Sequence, residues 1–152
     1  MIGNMVCSFV GTLCFSIIFN VPNQFYFYCG LTGMTGWMCY CYVAQYTTAA
    51  IATFFGTIVV VLMSRILAVW RKCPITVFLI SGIFPLVPGA GVYYTAYYFV
   101  TNSLSLATQK GIDSLKIAFA IVLGIVFVVS IPKRWFALRY WRARRAQKKV
   151  AG

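Results

Sequence analysis

The sequence predicts an all-α protein, a transmembrane helical bundle of about five spans in which the fourth span is broken. Two observations predict this fold. Of the 152 residues, 62% are hydrophobic and only 9% are charged, whereas soluble domains carry roughly a quarter charged residues. The charges are also confined to a few places, because residues 1–64, 73–109 and 117–132 contain none. Helices that are apolar on every face need lipid or protein around them, so these stretches exclude a soluble fold.

Each predicted span approaches the roughly 20 apolar residues that cross a bilayer. The spans are residues 2–19, about 27–43, 47–70, about 75–100 and about 114–131. The first lacks a positive leading region and an Ala-x-Ala site, so we interpret it as a retained span and not as a signal peptide. The second is short and glycine-rich. A re-entrant second segment, which would leave four spans, is therefore the alternative.

The basic residues predict the orientation. Eight of the thirteen lie in residues 133–152, a basic tail that we separate from a transmembrane domain at residues 1–132. Arg71 and Lys72 form a second group. Lys and Arg are retained on the cytoplasmic side, so both groups and the carboxyl terminus are predicted to be cytoplasmic, with Thr101–Asp113 as an external loop. Five spans then place the amino terminus outside, and four place it inside. The net charge of +12 thus reflects topology and contact with membrane lipid and not nucleic-acid binding.

Catalytic and metal sites are not expected. The chain has no histidine, and none of its six cysteines forms a Cys-x-x-Cys. Cys39-x-Cys41 lacks the four ligands that a zinc site normally needs. Cys73, beside Lys72, comes nearest to an activated nucleophile. A membrane enzyme that uses Cys73 is the weakest of the functional alternatives, and we expect no cofactor.

The informative segment lies inside the fourth span. Pro85 and Pro88 have no N–H, so a continuous helix would leave the carbonyls of Ser81 and Phe84 without partners. Glycines that follow add backbone freedom. A broken helix at membrane depth is tolerated only within protein or beside a water-filled cavity. Secondary transporters use the free N–H and C=O groups of such breaks to hold a solute.

We therefore predict that a small carboxylate-bearing solute binds at the break. The candidate residues that supply the break, backbone donors or hydroxyls are Ser81, Pro85, Pro88, Gly89, Ala90, Gly91 and Tyr93. Arg65, near the end of the third span, is predicted either to snorkel to the cytoplasmic interface or to face a cavity and attract an anionic solute. The alternative is a proline kink that neighbouring helices satisfy, in a non-transporting scaffold or assembly subunit.

Small residues predict where helices touch. Gly30, Gly33 and Gly36 recur every three positions, and Ala52 and Gly56 form a small-xxx-small pair. In lipid such residues let backbones approach closely. Packing within one subunit is the simpler interpretation. A contact between subunits, including a homo-oligomer, is the other.

The order of these motifs resembles the threonine/serine exporter family, and more narrowly the small membrane subunit of its split form. The matching motifs are Phe19-Asn20-Val21-Pro22, Gly30-x-x-Gly33-x-x-Gly36-Trp37, Pro85-Leu86-Val87-Pro88-Gly89 and Tyr93. The resemblance implies a bacterial inner-membrane exporter of threonine and serine, or of a dicarboxylate such as succinate. It also implies a larger partner subunit with a cytoplasmic domain, and it adds Asn20 and Pro22 to the candidate site.

Asp113 is the only acidic residue of the chain. A proton-coupled carrier usually needs a carboxylate or histidine within the membrane. Asp113 is instead predicted at the external start of the fifth span, where a carboxylate suits the helix dipole. If export is proton-driven, the coupling group is therefore expected on the partner subunit.

Overall fold

The computed structural model describes residues 2–131, and this part of the chain consists of helices and short turns with no β-strand. The helices are α1 (Ile2–Ile18), α2 (Tyr26–Ala44), α3 (Ala49–Arg71), α4 (Thr76–Ile83), α5 (Gly89–Val100) and α6 (Leu104–Ser130), with 3-10 turns at Asn23–Phe25 and Phe84–Leu86. The all-helical prediction is confirmed for these residues. The basic tail and the boundary at residue 132 lie outside them.

Helix α2 lies at the centre of the bundle and packs against α1, α3 and α4. Its glycines make that packing possible. A methyl group at Gly33 would collide with Thr12 of α1, and one at Gly36 would collide with Val60 of α3. Small residues allow this close approach of helix backbones. The glycine repeat therefore serves helix packing within this chain, as the simpler interpretation has it.

The bundle interior contains buried hydroxyl groups that are satisfied locally. Except for Ser8, which donates to the Gly33 carbonyl of α2, they donate to the carbonyl four residues earlier in their own helix, at 2.7–2.8 Å for Thr12, Ser16, Thr57 and Ser64. Among the described residues, every buried side-chain nitrogen and oxygen atom has a hydrogen-bond partner. Such bonds let small polar residues pack inside a helical bundle without an unsatisfied polar group.

Helices α5 and α6 lie at the edge of the bundle. Helix α5 packs against α6, which in turn packs against α3. Helix α5 buries none of its twelve residues. The segment Thr76–Leu86 and helix α5 together resemble one span bent by 49°.

By length and composition, two described helices, α3 and α6, are able to cross a membrane, and three segments are if the bent pair counts as one span. Helix α1 is a shorter apolar helix. The protein is therefore a helical membrane protein, as predicted. Helix α2 is continuous from Tyr26 to Ala44, without a re-entrant turn.

The loop predicted at Thr101–Asp113 is shorter than expected, and its external position stays a prediction. Helix α6 begins at Leu104, so Lys110 and Asp113 are helical, and Asp113 pairs with Lys116 at 3.5 Å one turn later. At about 1.5 Å per residue, its 27 residues span about 40 Å, which exceeds the roughly 30 Å hydrocarbon core. A helix of this length can include charged residues in its first turns, so hydropathy alone placed the helix start too late.

Stability should depend on the contact between α2 and α3. Gly36→Ala is expected to lower the free energy of unfolding by about 1–3 kcal/mol, because Val60 is fully buried and has no room to move. The measurement is thermal unfolding of the purified protein in detergent. Gly11→Ala is the matched control, since its added methyl group meets nothing within 4 Å. Equal melting temperatures for the two variants would contradict this packing.

Candidate functional site

The predicted break in the fourth span is confirmed. Helix α4 ends at Ile83, a 3-10 turn covers Phe84–Leu86, and α5 begins at Gly89. Pro88 has φ −77° and ψ 53°, and the Gly89 N–H donates to the Val87 carbonyl at 2.8 Å. These values describe an inverse γ-turn. The prolines therefore end one helix and begin another, with a tight turn between them.

Fewer backbone groups are free at the break than the sequence predicts. The Phe84 carbonyl, expected to lack a partner, accepts a hydrogen bond from the Val87 N–H at 3.2 Å. The Gly89 N–H is used in the γ-turn. The N–H groups of Ala90 and Gly91 make no hydrogen bond within the described residues, as befits the first turn of a helix. Of the three predicted backbone donors, Ala90 and Gly91 thus remain.

One small cavity brings two distant candidate residues together. This Asn20–Ser81 cavity has a volume of about 220 Å³ and lies between the end of α1 and the first turns of α4. Ser81 is fully buried there and donates to the Val77 carbonyl at 3.4 Å. The lining residues are Phe19, Asn20, Val21, Pro22, Thr76, Val77, Ile80 and Ser81.

Asn20 also has a structural role. It adopts the left-handed conformation with φ 54°. Its N–H donates to the Ile17 carbonyl at 3.0 Å, and the Val21 N–H donates to the Ser16 carbonyl at 3.1 Å. This is the Schellman motif, in which glycine or asparagine ends a helix. Val21 then packs into the core beside Phe78. The Asn-Val-Pro sequence therefore ends α1 as well as lining the cavity.

A second polar cavity lies on the other side of the 3-10 turn. This Asn4–Trp37 cavity has a volume of about 340 Å³ and lies between α1, α2 and the break. Its lining residues are Asn4, Cys7, Ser8, Gly11, Thr12, Phe15, Trp37 and Pro85. Apart from Pro85, sequence reasoning missed these residues as site candidates. The available signal was polar spacing, because Asn4, Ser8, Thr12 and Ser16 recur every four positions on one face of α1.

The remaining candidates at the break lie elsewhere. Pro88 lines an apolar groove of about 560 Å³ between α5 and α6. Gly91 allows the close approach of these helices, since a methyl group there would collide with the Ser114 hydroxyl. Gly89 and Ala90 are exposed. Tyr93 is 64% exposed, and its ring stacks on that of Tyr97. The structure therefore brings Asn20, Ser81 and Pro85 to the polar cavities and the other break residues to the α5 side.

Arg65 lies on α3, and its side chain is buried against the carboxyl end of α6. It lines neither polar cavity. Its guanidinium donates to the carbonyls of Val128 at 2.7 Å, Ile131 at 2.8 Å and Val129 at 3.3 Å. The last carbonyls of a helix have few partners within it, although the Val128 carbonyl also accepts from the Ile131 N–H at 3.2 Å. A cation there also complements the negative end of the helix dipole. Arg65 therefore ties α3 to the carboxyl end of α6.

The thiol of Cys73 does not have the character of a nucleophile. Burial raises its pKa above the ordinary value, although its own backbone N–H and the charge of Arg71 act in the opposite direction. A thiol with a raised pKa is protonated at neutral pH and reacts slowly. The described residues also contain no cluster of ligands that would hold a metal ion.

Replacing Arg65 should test its structural role. Arg65→Met removes the donor to the carbonyls of Val128, Val129 and Ile131, and it is expected to lower the free energy of unfolding by about 1.5–3 kcal/mol. Arg65→Lys keeps a charged donor and should lower the free energy of unfolding by less. Thermal unfolding in detergent measures both. If Arg65→Met unfolds like the parent protein but no longer exports solute, Arg65 acts on the solute and not on α6.

Comparison with known proteins identifies the family. The family model described as "Threonine/Serine exporter, ThrE" matches residues 4–131. No curated protein and no solved structure matches the chain. Members of this family are transporters, which excludes the enzyme alternative. Because the match spans nearly all of the described residues, including the break and both polar cavities, the chain belongs to the threonine/serine exporter family.

Proposed function

We propose that this chain is a membrane subunit that exports threonine and serine across the bacterial cytoplasmic membrane, working with a larger partner subunit. The observation that carries the proposal is the Asn20–Ser81 cavity at the broken span. It brings the Asn20 amide together with the Ser81 hydroxyl of α4, about one turn before the fold interrupts this membrane segment. Interrupted helices that line polar cavities are the solute sites of secondary transporters. A scaffold that needed only a kink would have no use for such a cavity.

Contacts between helix ends support five spans. The Arg71 guanidinium lies 4.3 Å from the ring centre of Tyr28, so the end of α3 meets the start of α2. Arg65 joins the ends of α3 and α6. The Asn20–Ser81 cavity joins the end of α1 to the start of α4. One end of each of the five segments thus lies on the same side of the bundle. That side carries Arg71 and Lys72 and is cytoplasmic by the positive-inside rule.

The cavities favour a zwitterionic solute over a dicarboxylate. No charged side chain among the described residues lines either polar cavity. Transfer of a net charge from water into such a site is costly without a counter-ion. An amino acid is neutral overall, and amide, hydroxyl and backbone groups suffice to hydrogen-bond both of its ends. Threonine and serine therefore suit these walls better than succinate does.

The partner subunit supplies what this chain lacks. Asp113, the sole acidic residue, lies on α6 and pairs with Lys116 at an exposed position, so it lines neither polar cavity. A proton-coupling group would come from the larger subunit. Helix α5, with no buried residue and several exposed aromatic side chains, offers an unoccupied face for that subunit.

The role of Asn20 in ending α1 can be tested separately from the role of its side-chain amide. Asn20→Gly keeps the left-handed helix end, because glycine adopts positive φ without strain. It removes only the amide, so we expect normal thermal stability with threonine efflux reduced about tenfold, the equivalent of one lost hydrogen bond of about 1.4 kcal/mol. Asn20→Ala should lose both efflux and stability. Normal efflux from the Asn20→Gly variant would show that the amide does not contact the solute.

The choice of solute can be tested in cells. Deleting the gene for this chain should raise the intracellular threonine and serine that accumulate after dipeptide feeding, and complementation should reverse the change. Intracellular succinate should stay constant, because the cavities offer no counter-ion. Mass spectrometry of cell extracts measures all three. Unchanged amino-acid levels would favour the scaffold alternative, and a rise in succinate alone would reverse the preference between solutes.

A further inference from the structure

We propose that the Asn4–Trp37 cavity is a second site for the exported amino acid, and that the stacked rings of Phe15 and Phe84 close the route between it and the Asn20–Ser81 cavity. This inference rests on the proposed function, since a route presupposes a solute. It adds a binding site and a barrier that follow from the positions of side chains along two walls.

Two segments, α1 and the broken span, form the walls of the route, and each of them lines both cavities. On α1, Asn4 to Phe15 line one cavity, and Phe19 and Asn20 line the other. On the broken span, Pro85 lines the first cavity and Ser81 lines the second. Phe84 lies between Ser81 and Pro85 in sequence. On α1 the boundary between the two cavities therefore lies at Phe15, and on the broken span it lies at Phe84.

These phenylalanine rings meet. The ring centres of Phe15 and Phe84 are 3.5 Å apart with an interplanar angle of 30°. Phe19 lies close behind, with its ring centre 5.9 Å from that of Phe84. A zwitterion that passed between the cavities would have to leave its polar partners and cross these apolar faces, which is strongly unfavourable. The stack thus closes the route in this conformation.

The break gives Phe84 the means to move. Phe84 begins the 3-10 turn, and Pro85 beside it has no N–H to bond to the preceding helix. At the end of this turn, the Val87 N–H donates to the Phe84 carbonyl at 3.2 Å. Hinges of this kind absorb backbone rotation at few residues. A change in the bend between α4 and α5 would therefore separate Phe84 from Phe15 without unwinding either helix.

The second site has suitable groups for an amino acid. The Ser8 hydroxyl donates to the Gly33 carbonyl at 3.3 Å, and the Thr12 hydroxyl donates to the Ser8 carbonyl at 2.7 Å. Their protons are thus used, and their oxygen lone pairs can accept hydrogen bonds from an ammonium or hydroxyl group. The Asn4 amide, which makes no hydrogen bond within the described residues, can donate to a carboxylate.

A native cysteine makes the barrier measurable. Cys7 lines the Asn4–Trp37 cavity and is exposed. The experiment uses the complete exporter in membrane vesicles of each orientation, with Cys7 as the only cysteine of this chain. A companion variant carries Thr76→Cys on a cysteine-free background, because Thr76 lines the Asn20–Ser81 cavity. The probe is a charged thiol reagent that does not cross lipid.

We expect Cys7 to react from one membrane face and the Thr76→Cys thiol from the opposite face. Saturating threonine should slow both reactions. Phe84→Ala should raise the rate at Cys7 from the previously closed face at least tenfold, and Phe15→Ala should do the same from the other wall. Phe54→Ala is the matched control, because Phe54 is also half-buried and in ring contact but lines neither polar cavity. It should leave labelling one-sided.

Three results would overturn the proposal. Labelling of Cys7 from both faces in the parent protein would show that no barrier exists. One-sided labelling in both Phe84→Ala and Phe15→Ala would place the barrier elsewhere, and failure of threonine to protect Cys7 would remove the second site. Threonine efflux is measured separately on the same exporter. Its absence would refute the proposed function itself, whereas the sidedness of labelling is read without any transport.

Discussion

In a bilayer the backbone has no water to bond, so every N–H and C=O group must find its partner inside the protein. Pro85 and Pro88 remove two N–H groups from the middle of one membrane segment. The chain forms a 3-10 turn and an inverse γ-turn at this point, and these turns satisfy the Phe84 and Val87 carbonyls locally. The remainder of the architecture surrounds this turn. Helices α1 and α2 border it on one side, and the bend of 49° sends α5 away toward α6.

Close packing of the other helices compensates for the interruption of this membrane segment. The glycines of α2 let side chains of α1 and α3 pack directly against the α2 backbone, and most buried hydroxyls are satisfied within their own helices. Arg65 holds the ends of α3 and α6 together. A closely packed bundle of α1, α2 and α3 therefore stands beside a segment that is interrupted near its centre.

Much of this arrangement is readable from the sequence because it follows from local chemistry. Two prolines break a helix wherever they stand, and the absence of charge over long stretches predicts membrane helices. The start of α6 was misplaced because charged residues such as Lys110 are compatible with a helix that extends past the lipid. The polar cavities were beyond reach for another reason. The proximity of Asn20 to Ser81, and of Phe15 to Phe84, depends on how α1 docks against the broken span. No local pattern encodes that docking, although the four-residue spacing from Asn4 to Ser16 on α1 hinted at a polar face.

The uncharged lining of both polar cavities has a consequence for energetics. A membrane potential acts on a moving charge with about 2.3 kcal/mol per elementary charge per 100 mV. A zwitterion that passes walls without ionised groups moves no net charge, so the voltage does no work on that step. Any electrical driving force must then enter with an ion bound outside these walls. Under the proposed function, export through these walls alone would run only down the concentration gradient of the amino acid, and uphill export would depend on an ion bound elsewhere.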